Sequence, residues 1–170
     1  GLSYARALTE QFSFGATVRY VEETIDVLKT RAFMIDLGTY YRTGLGSSRF
    51  SVVVSNFGSN VSPEGDVVLP HRESVSDFQE FSPPTLFRIG FAFEPLQDEV
   101  NRITASAQLN HPNDNSENLA LGVEYAWNEL LQLRVGYKLN VDEEGLTAGA
   151  GILAPVGSIK AGVDYSFAEF

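Results

Sequence analysis

Apolar and polar residues alternate along most of this chain with a period of two, the pattern that sends successive side chains of a strand to opposite faces of a sheet. Between 11 and 22, Phe12, Phe14, Ala16, Val18 and Tyr20 share one face while Ser13, Gly15, Thr17 and Arg19 share the other. The same alternation places Phe87, Ile89, Phe91 and Phe93 against Arg88, Gly90 and Glu94, and Leu119, Leu121, Val123, Tyr125 and Trp127 against Gly122 and Glu124. It continues with Leu131, Leu133, Val135, Tyr137 and Leu139 against Arg134, Gly136 and Lys138, and with Ile159, Ala161, Val163, Tyr165 and Phe167 against Lys160, Gly162 and Asp164. Further strands are expected near 102–110 and 146–152, and, with less regular patterns, near 2–8, 31–42 and 49–57. About ten strands result, several of roughly 9 to 11 residues, the length a tilted strand needs to cross a bilayer. The predicted fold class is all-β, an antiparallel meander forming part of a transmembrane β-barrel.

The connections support a two-ended arrangement. Short turns are expected at 9–10, 43–48, 95–101, 128–130 and 154–157, and the intervening connections at 23–30, 58–83, 112–117 and 140–145. The stretch from Gly58 to Pro83 is rich in Ser, Pro, Asp and Glu, and its length marks it as the expected external loop. Directly paired residues must share a face, so the turn at 128–130 predicts Trp127 opposite Leu131, Tyr125 opposite Leu133, Leu121 opposite Tyr137 and a Glu124–Arg134 ion pair. The turn at 154–157 predicts Ile152 opposite Ile159, Gly151 opposite Lys160 and Thr147 opposite Asp164.

In a barrel these two faces take different roles. Phe14, Val18, Phe87, Ile89, Phe91, Leu121, Val123, Leu133, Val135 and Val163 are expected to face lipid. Tyr125 and Trp127 toward one rim, and Tyr20, Tyr165 and Phe167 toward the other, are expected to form interfacial belts, although ordinary packing also gathers aromatics. Arg19, Asp36, Arg88, Glu94, Glu124, Arg134, Lys138, Lys160 and Asp164 are expected to face the lumen, neutralising one another or lining a solute path. Gly15, Gly90, Gly122, Gly136, Gly149, Gly151 and Gly162 fall on that inward face and leave room for the long charged side chains.

Composition narrows the classes. The 170 residues are 44% hydrophobic and 20% charged, which fits one sizeable domain and argues against disorder. No apolar run is long enough for a transmembrane helix, so a membrane role must come from strands. The formal charge of −10, with scattered basic residues, disfavours nucleic acid as a partner. The chain lacks cysteine, which excludes thiolate chemistry. It opens directly in strand-like sequence, and any signal peptide is expected to lie outside it.

Candidate chemistry changes little. Gly149 to Ala154 formally fits a relaxed dinucleotide fingerprint, but inside a strand and with no helix following, so no cofactor is expected. His111 to Glu117 gathers oxygen ligands around an imidazole, yet Pro, Asn, Asp and Ser are the usual loop formers and no EF-hand spacing is present. His71 and His111, the two histidines, stand in no recognisable catalytic arrangement, and no enzyme is expected. The acidic residues of the long loop, Glu64, Asp66, Glu73, Asp77 and Glu80, are either solvated or bridged to lipopolysaccharide through divalent ions.

A series of short words gives a resemblance: Phe14 to Tyr20, Asp36 to Tyr41, Ser55 to Gly58, Pro84 to Gly90, His111 to Asn115, Gly122 to Tyr125, Leu133 to Lys138 and Val163 to Tyr165. Their order resembles the PorV/PorQ family of outer-membrane barrels, related to the FadL fatty-acid transporters. The resemblance implies a bacterial outer-membrane barrel of fourteen strands, of which about ten would be present here. It also implies a scaffold or accessory role in type IX secretion or cell-surface assembly, with outer-membrane lipid, lipopolysaccharide and secretion or cell-surface proteins as partners. Transport of hydrophobic small molecules, FadL-fashion, and a soluble β-barrel or sandwich binding module are the alternatives.

Overall fold

The computed structural model describes all residues except 69–73, 76, 77, 142–144, 158 and 170, and leaves the side chains of 68, 74, 75 and 156 undescribed. Twelve strands follow in order: β1 (Leu2–Ala7), β2 (Phe12–Ile25), β3 (Leu28–Arg42), β4 (Arg49–Gly58), β5 (Val67–Val68), β6 (Ser74–Val75), β7 (Leu86–Gln97), β8 (Asn101–Pro112), β9 (Asn118–Trp127), β10 (Leu131–Leu139), β11 (Leu146–Val156) and β12 (Ile159–Ala168). Ten of them form one antiparallel meander, β1-β2-β3-β4-β7-β8-β9-β10-β11-β12, and β5 with β6 makes a small separate ribbon. The all-β meander expected from the alternation is therefore present. The sheet is open, with β1 and β12 as its edges.

The registers show how this sheet is sheared. One hydrogen-bonded row runs Phe12↔Tyr41↔Phe50↔Phe91↔Ala107↔Leu121↔Tyr137↔Leu146. It enters at the first residue of β2, on the edge that carries the 43–48 and 98–100 turns, and leaves at the first residue of β11, on the opposite edge. The row thus drifts a whole strand length, ~33 Å at about 3.3 Å per residue, over seven strand steps of ~4.8 Å. Strands staggered this way lean at roughly 40–45° to the in-plane axis that joins the two turn-bearing ends of the sheet, within the tilt a barrel wall requires.

Burial is inverted relative to a soluble sheet. Among the described residues the buried hydrophobics are Val61, in the long connection, and Ala126, on the polar face, while Val135, Leu133, Ile89, Trp127 and Val163 are exposed. The more enclosed face is the polar one, where Glu94 is 7% exposed and Arg49 27%. No second sheet packs on either face among the described residues, so a face can be enclosed only by curvature, and the polar face is the concave one.

Three expectations are corrected. The stretch 23–30 is not a loop: β2 and β3 continue to the pair Ile25↔Leu28, with Asp26 at φ 55° in the turn. Its charges are strand-compatible because they pair across strands, as in Arg31 with Glu22 at 3.0 Å. The 95–101 turn likewise shrinks to 98–100. With these two tight hairpins on opposite edges, the difference in connection length between the edges comes from the segment joining β4 to β7. The third correction is the β11–β12 register, which is displaced by four residues: Ile152 faces Val163, Gly151 faces Asp164, Thr147 faces Ala168 and Lys160 faces Pro155. Pro155 lies within β11 and not in the turn expected at 154–157. Leu153 N–H still donates to Leu130 O on the β10 side, and two residues later that side is unpaired because β10 has ended, so the missing proline N–H costs no ladder bond.

Candidate functional site

The polar concave face is organised around three arginine-centred clusters. The first lies at the edge with the 43–48 turn. Arg49 at the start of β4 grips Glu94 in β7 with two parallel bonds of 2.7 Å, and Glu94 also receives Thr104 Oγ1 at 3.2 Å. The Glu94 N–H donates to Ser47 Oγ at 2.7 Å, fixing the carboxylate beside a bulge between Phe93 and Leu96. A planar guanidinium and a carboxylate meet in the fork geometry that gives the strongest ion pairs.

The second cluster stands across β9, β10 and β12. Arg134 donates to Glu124 at 2.7 Å and to Asp164 at 2.6 Å, and also to Gln132. The Glu124–Arg134 pair expected from parity is present, as are Trp127↔Leu131, Tyr125↔Leu133 and Leu121↔Tyr137. Gly151 and Gly149, directly opposite Gln132 and Arg134, leave the space into which these side chains extend.

The third cluster is built on a bulge. Between Ile35 and Leu37 the β3–β4 register shifts by one residue, and Asn56 takes φ 59° there. Its N–H donates to Asp36 Oδ1 at 2.8 Å, its side-chain oxygen accepts from Arg19, and its carboxamide donates to Pro84 O at 3.1 Å. Arg19 completes the triangle with Asp36 at 2.7 Å, and Arg88 donates to the neighbouring Ser55 Oγ at 2.8 Å. Asparagine suits the left-handed conformation better than most residues, so the bulge, the Arg19–Asp36 pair and the return of the chain to β7 share one residue.

The expected inward set thus resolves into groups. Arg19 with Asp36, and Glu124 with Arg134 and Asp164, are brought together, while Arg88 stands beside the first pair. Lys138 faces Ala120 and Lys160 faces Pro155 on the same side of the sheet. Arg102 falls on the polar side of the 102–110 alternation but was given no role, and Arg42, Arg49 and Asn56 were missed. Arg42 and Arg49 carry the same parity signal as Arg134, but it is blurred where β3 and β4 are irregular, and a bulge leaves no mark in periodicity.

The residues expected to face lipid are on the convex face: Phe14, Val18, Phe87, Ile89, Phe91, Leu121, Val123, Leu133, Val135 and Val163 pair mostly with apolar neighbours, with His111 opposite Phe87 and with Arg6 and Thr39 on either side of Phe14 as the polar exceptions. Among the expected belt aromatics, Tyr20 lies 6.4 Å from Phe33. Tyr125 donates to Asn101 at 2.7 Å beside Trp127, and Tyr165 and Phe167 sit opposite Ala150 and Ala148.

The loop chemistry is ordinary. His111 Nδ1 lies 2.8 Å from Glu117, both well exposed, and no group of metal-ligating side chains forms among the described residues. In the long segment Glu64 joins Arg31 at 2.9 Å, Val61 bridges to Phe81, and Asp66 and Glu80 are exposed. His71, Glu73 and Asp77 lie outside the described residues. Gly149 to Ala154 is strand, with no helix after it. Scanned against models of known families the sequence matches none, and a search of curated proteins finds no significant relative.

Proposed function

We propose that this chain forms the wall of a β-barrel in a bacterial outer membrane and acts without catalysis, as a scaffold or accessory in secretion or cell-surface assembly. The observation that carries the membrane part is the inverted burial: a convex face that is apolar apart from Arg6 and the Glu22–Arg31 end of the β2–β3 hairpin and has no protein against it among the described residues, and ion pairs gathered on the concave side. In water such a face is a large exposed apolar patch, whereas against acyl chains it meets its own kind. The strand stagger supports the same reading, since membrane-crossing strands lean at about this angle. In this arrangement the acidic residues of the connections meet the headgroup region, where divalent ions bridge carboxylates to lipopolysaccharide.

The accessory role rests on the short-word resemblance to the PorV/PorQ barrels and on the long segment between β4 and β7, which offers a surface to protein partners. A FadL-like path for hydrophobic solutes calls for an apolar interior. The concave face instead carries the ion pairs Arg19–Asp36, Arg49–Glu94 and Glu124–Arg134–Asp164, which favours the scaffold reading.

Fractionation of cells expressing the full-length protein tests this. The protein is expected in the outer-membrane fraction, resistant to carbonate extraction, and faster on gels unheated than boiled. A detergent-free monomer in the soluble fraction would overturn the reading.

A further inference from the structure

The concave face differs in sign from the rest of the chain. Eight lysines and arginines in the sheet strands point to it against five acids, Glu23, Asp36, Glu94, Glu124 and Asp164, although the whole chain carries −10. The excess is concentrated at one place. Arg42 and Arg49 stand directly opposite each other on that face, and like charges in facing positions destabilise a sheet.

Glu94 does not resolve this. Both of its oxygens are engaged by Arg49, so its charge is spent on one of the two guanidiniums. Arg42 makes no ion pair among the described residues, and its guanidinium lies 5.9 Å from the centre of the Tyr40 ring. Arg102, on the far side of the same groove, reaches only the exposed Glu129, at 3.4 Å. The groove has a volume of about 560 Å3 and is lined by these three arginines with Ser47, Ser48, Gln97 and Thr104 and by two carboxylates, Glu94 and Glu124, of which Glu94 is held by Arg49 and Glu124 by Arg134.

We propose that this groove is an oxyanion-binding site, in which Arg42, and Arg102 with its one exposed partner Glu129, supply guanidinium N–H groups, Arg49 is held in place by Glu94, and the Gln97 carboxamide adds a donor. Planar guanidiniums match carboxylate and phosphate oxygens geometrically. An anion here offsets the Arg42–Arg49 repulsion. The site depends on the concave face and not on membrane residence, so its failure and that of the membrane reading are separately visible.

The test is equilibrium dialysis of the full-length protein, folded in detergent micelles, against labelled inorganic phosphate and, in a parallel arm, labelled acetate. Saturable binding is expected, tighter for phosphate, and weakened at least about tenfold by Arg42→Gln or Arg102→Gln, the scale of a lost charge-assisted bond. Arg42→Lys should retain part of it, and Arg31→Gln, on the β2–β3 hairpin, should bind like the parent. Binding of phosphate alone assigns the site to phosphate-bearing solutes, and binding of both extends it to carboxylates. Absence of saturable binding in both arms, or equal binding by the Arg42→Gln and Arg102→Gln variants with strand circular dichroism intact, overturns the proposal.

Discussion

Gly151 in β11 stands directly opposite Asp164 in β12, and a Cβ at Gly151 would lie 2.3 Å from Asp164 Oδ1. That oxygen is the one that accepts from Arg134. The absent side chain is therefore what lets Asp164 reach across β11 to β10.

Gly151→Ala is expected to turn Asp164 away and release it from Arg134, leaving the Glu124–Arg134 pair in place. Asp164 is well exposed, so the loss is at most about 1 kcal/mol. Gly58→Ala should cost more, about 1–3 kcal/mol, because its Cβ would lie 2.4 Å from the backbone oxygen of Phe33, which cannot rotate aside. Guanidinium unfolding in micelles, followed by the fluorescence of Trp127, checks the order; equal costs would mean that the β11–β12 register is wrong or that β3 yields easily.

Asn56 makes a second graded prediction. Asn56→Gly keeps the left-handed backbone and loses the side-chain bonds to Arg19 and Pro84, while Asn56→Ala loses both and adds backbone strain of roughly 1 kcal/mol. The alanine variant should unfold at lower denaturant than the glycine variant, and both below the parent. A glycine variant no better than alanine would show that the bulge conformation carries no cost of its own.

The contrast between β9–β10 and β11–β12 shows what the sequence could reveal. Strict alternation in β9 and β10 allows only even shifts, and Asn128 and Glu129, both at positive φ, close a tight turn that leaves one choice, so each expected pair and the Glu124–Arg134 bridge are found. In β11–β12 the same parity held and every face was right, but the turn sits beyond Pro155, and a proline facing an unpaired side is indistinguishable by sequence from one that ends a strand. The Arg19–Asp36–Asn56 cluster and the Arg49–Glu94 fork both sit beside bulges, where period two fails by one residue. The faces were thus legible, and the contacts that depend on a bulge were not.

Asp98 gives a pH dependence outside the strands. It accepts the N–H groups of Val100 at 2.8 Å and Asn101 at 2.7 Å in the β7–β8 turn, and these bonds, that from Asn101 first, hold its carboxyl below the usual value of 3.8. A depressed folded value means that the ionised form stabilises the turn above the unfolded value, near pH 4, and that the gain is lost as pH falls through the folded one. The parent should therefore exceed Asp98→Ala in stability at neutral pH, with the gap shrinking below about pH 4. A gap that stays constant from pH 7 to pH 2.5 would assign the effect to turn geometry instead of charge.

The convex face supplies the sharpest test of the environment. Val135 sits mid-strand in β10, between Val123 and Ala148, and is half exposed. If water lies outside, Val135→Arg replaces an exposed apolar group with a solvated one and should leave stability within about 0.5 kcal/mol while improving solubility. If acyl chains lie outside, the guanidinium enters the hydrocarbon layer at a cost of roughly 2–4 kcal/mol. The two outcomes differ in sign for solubility and in size for stability, and folding into lipid vesicles measures both. Lys138→Leu, on the concave face three residues along the strand, is the control, because its environment is the same in either case. A strong penalty for Val135→Arg in vesicles with none for the control would place lipid against this face; equal folding of parent and Val135→Arg would remove the membrane from the account.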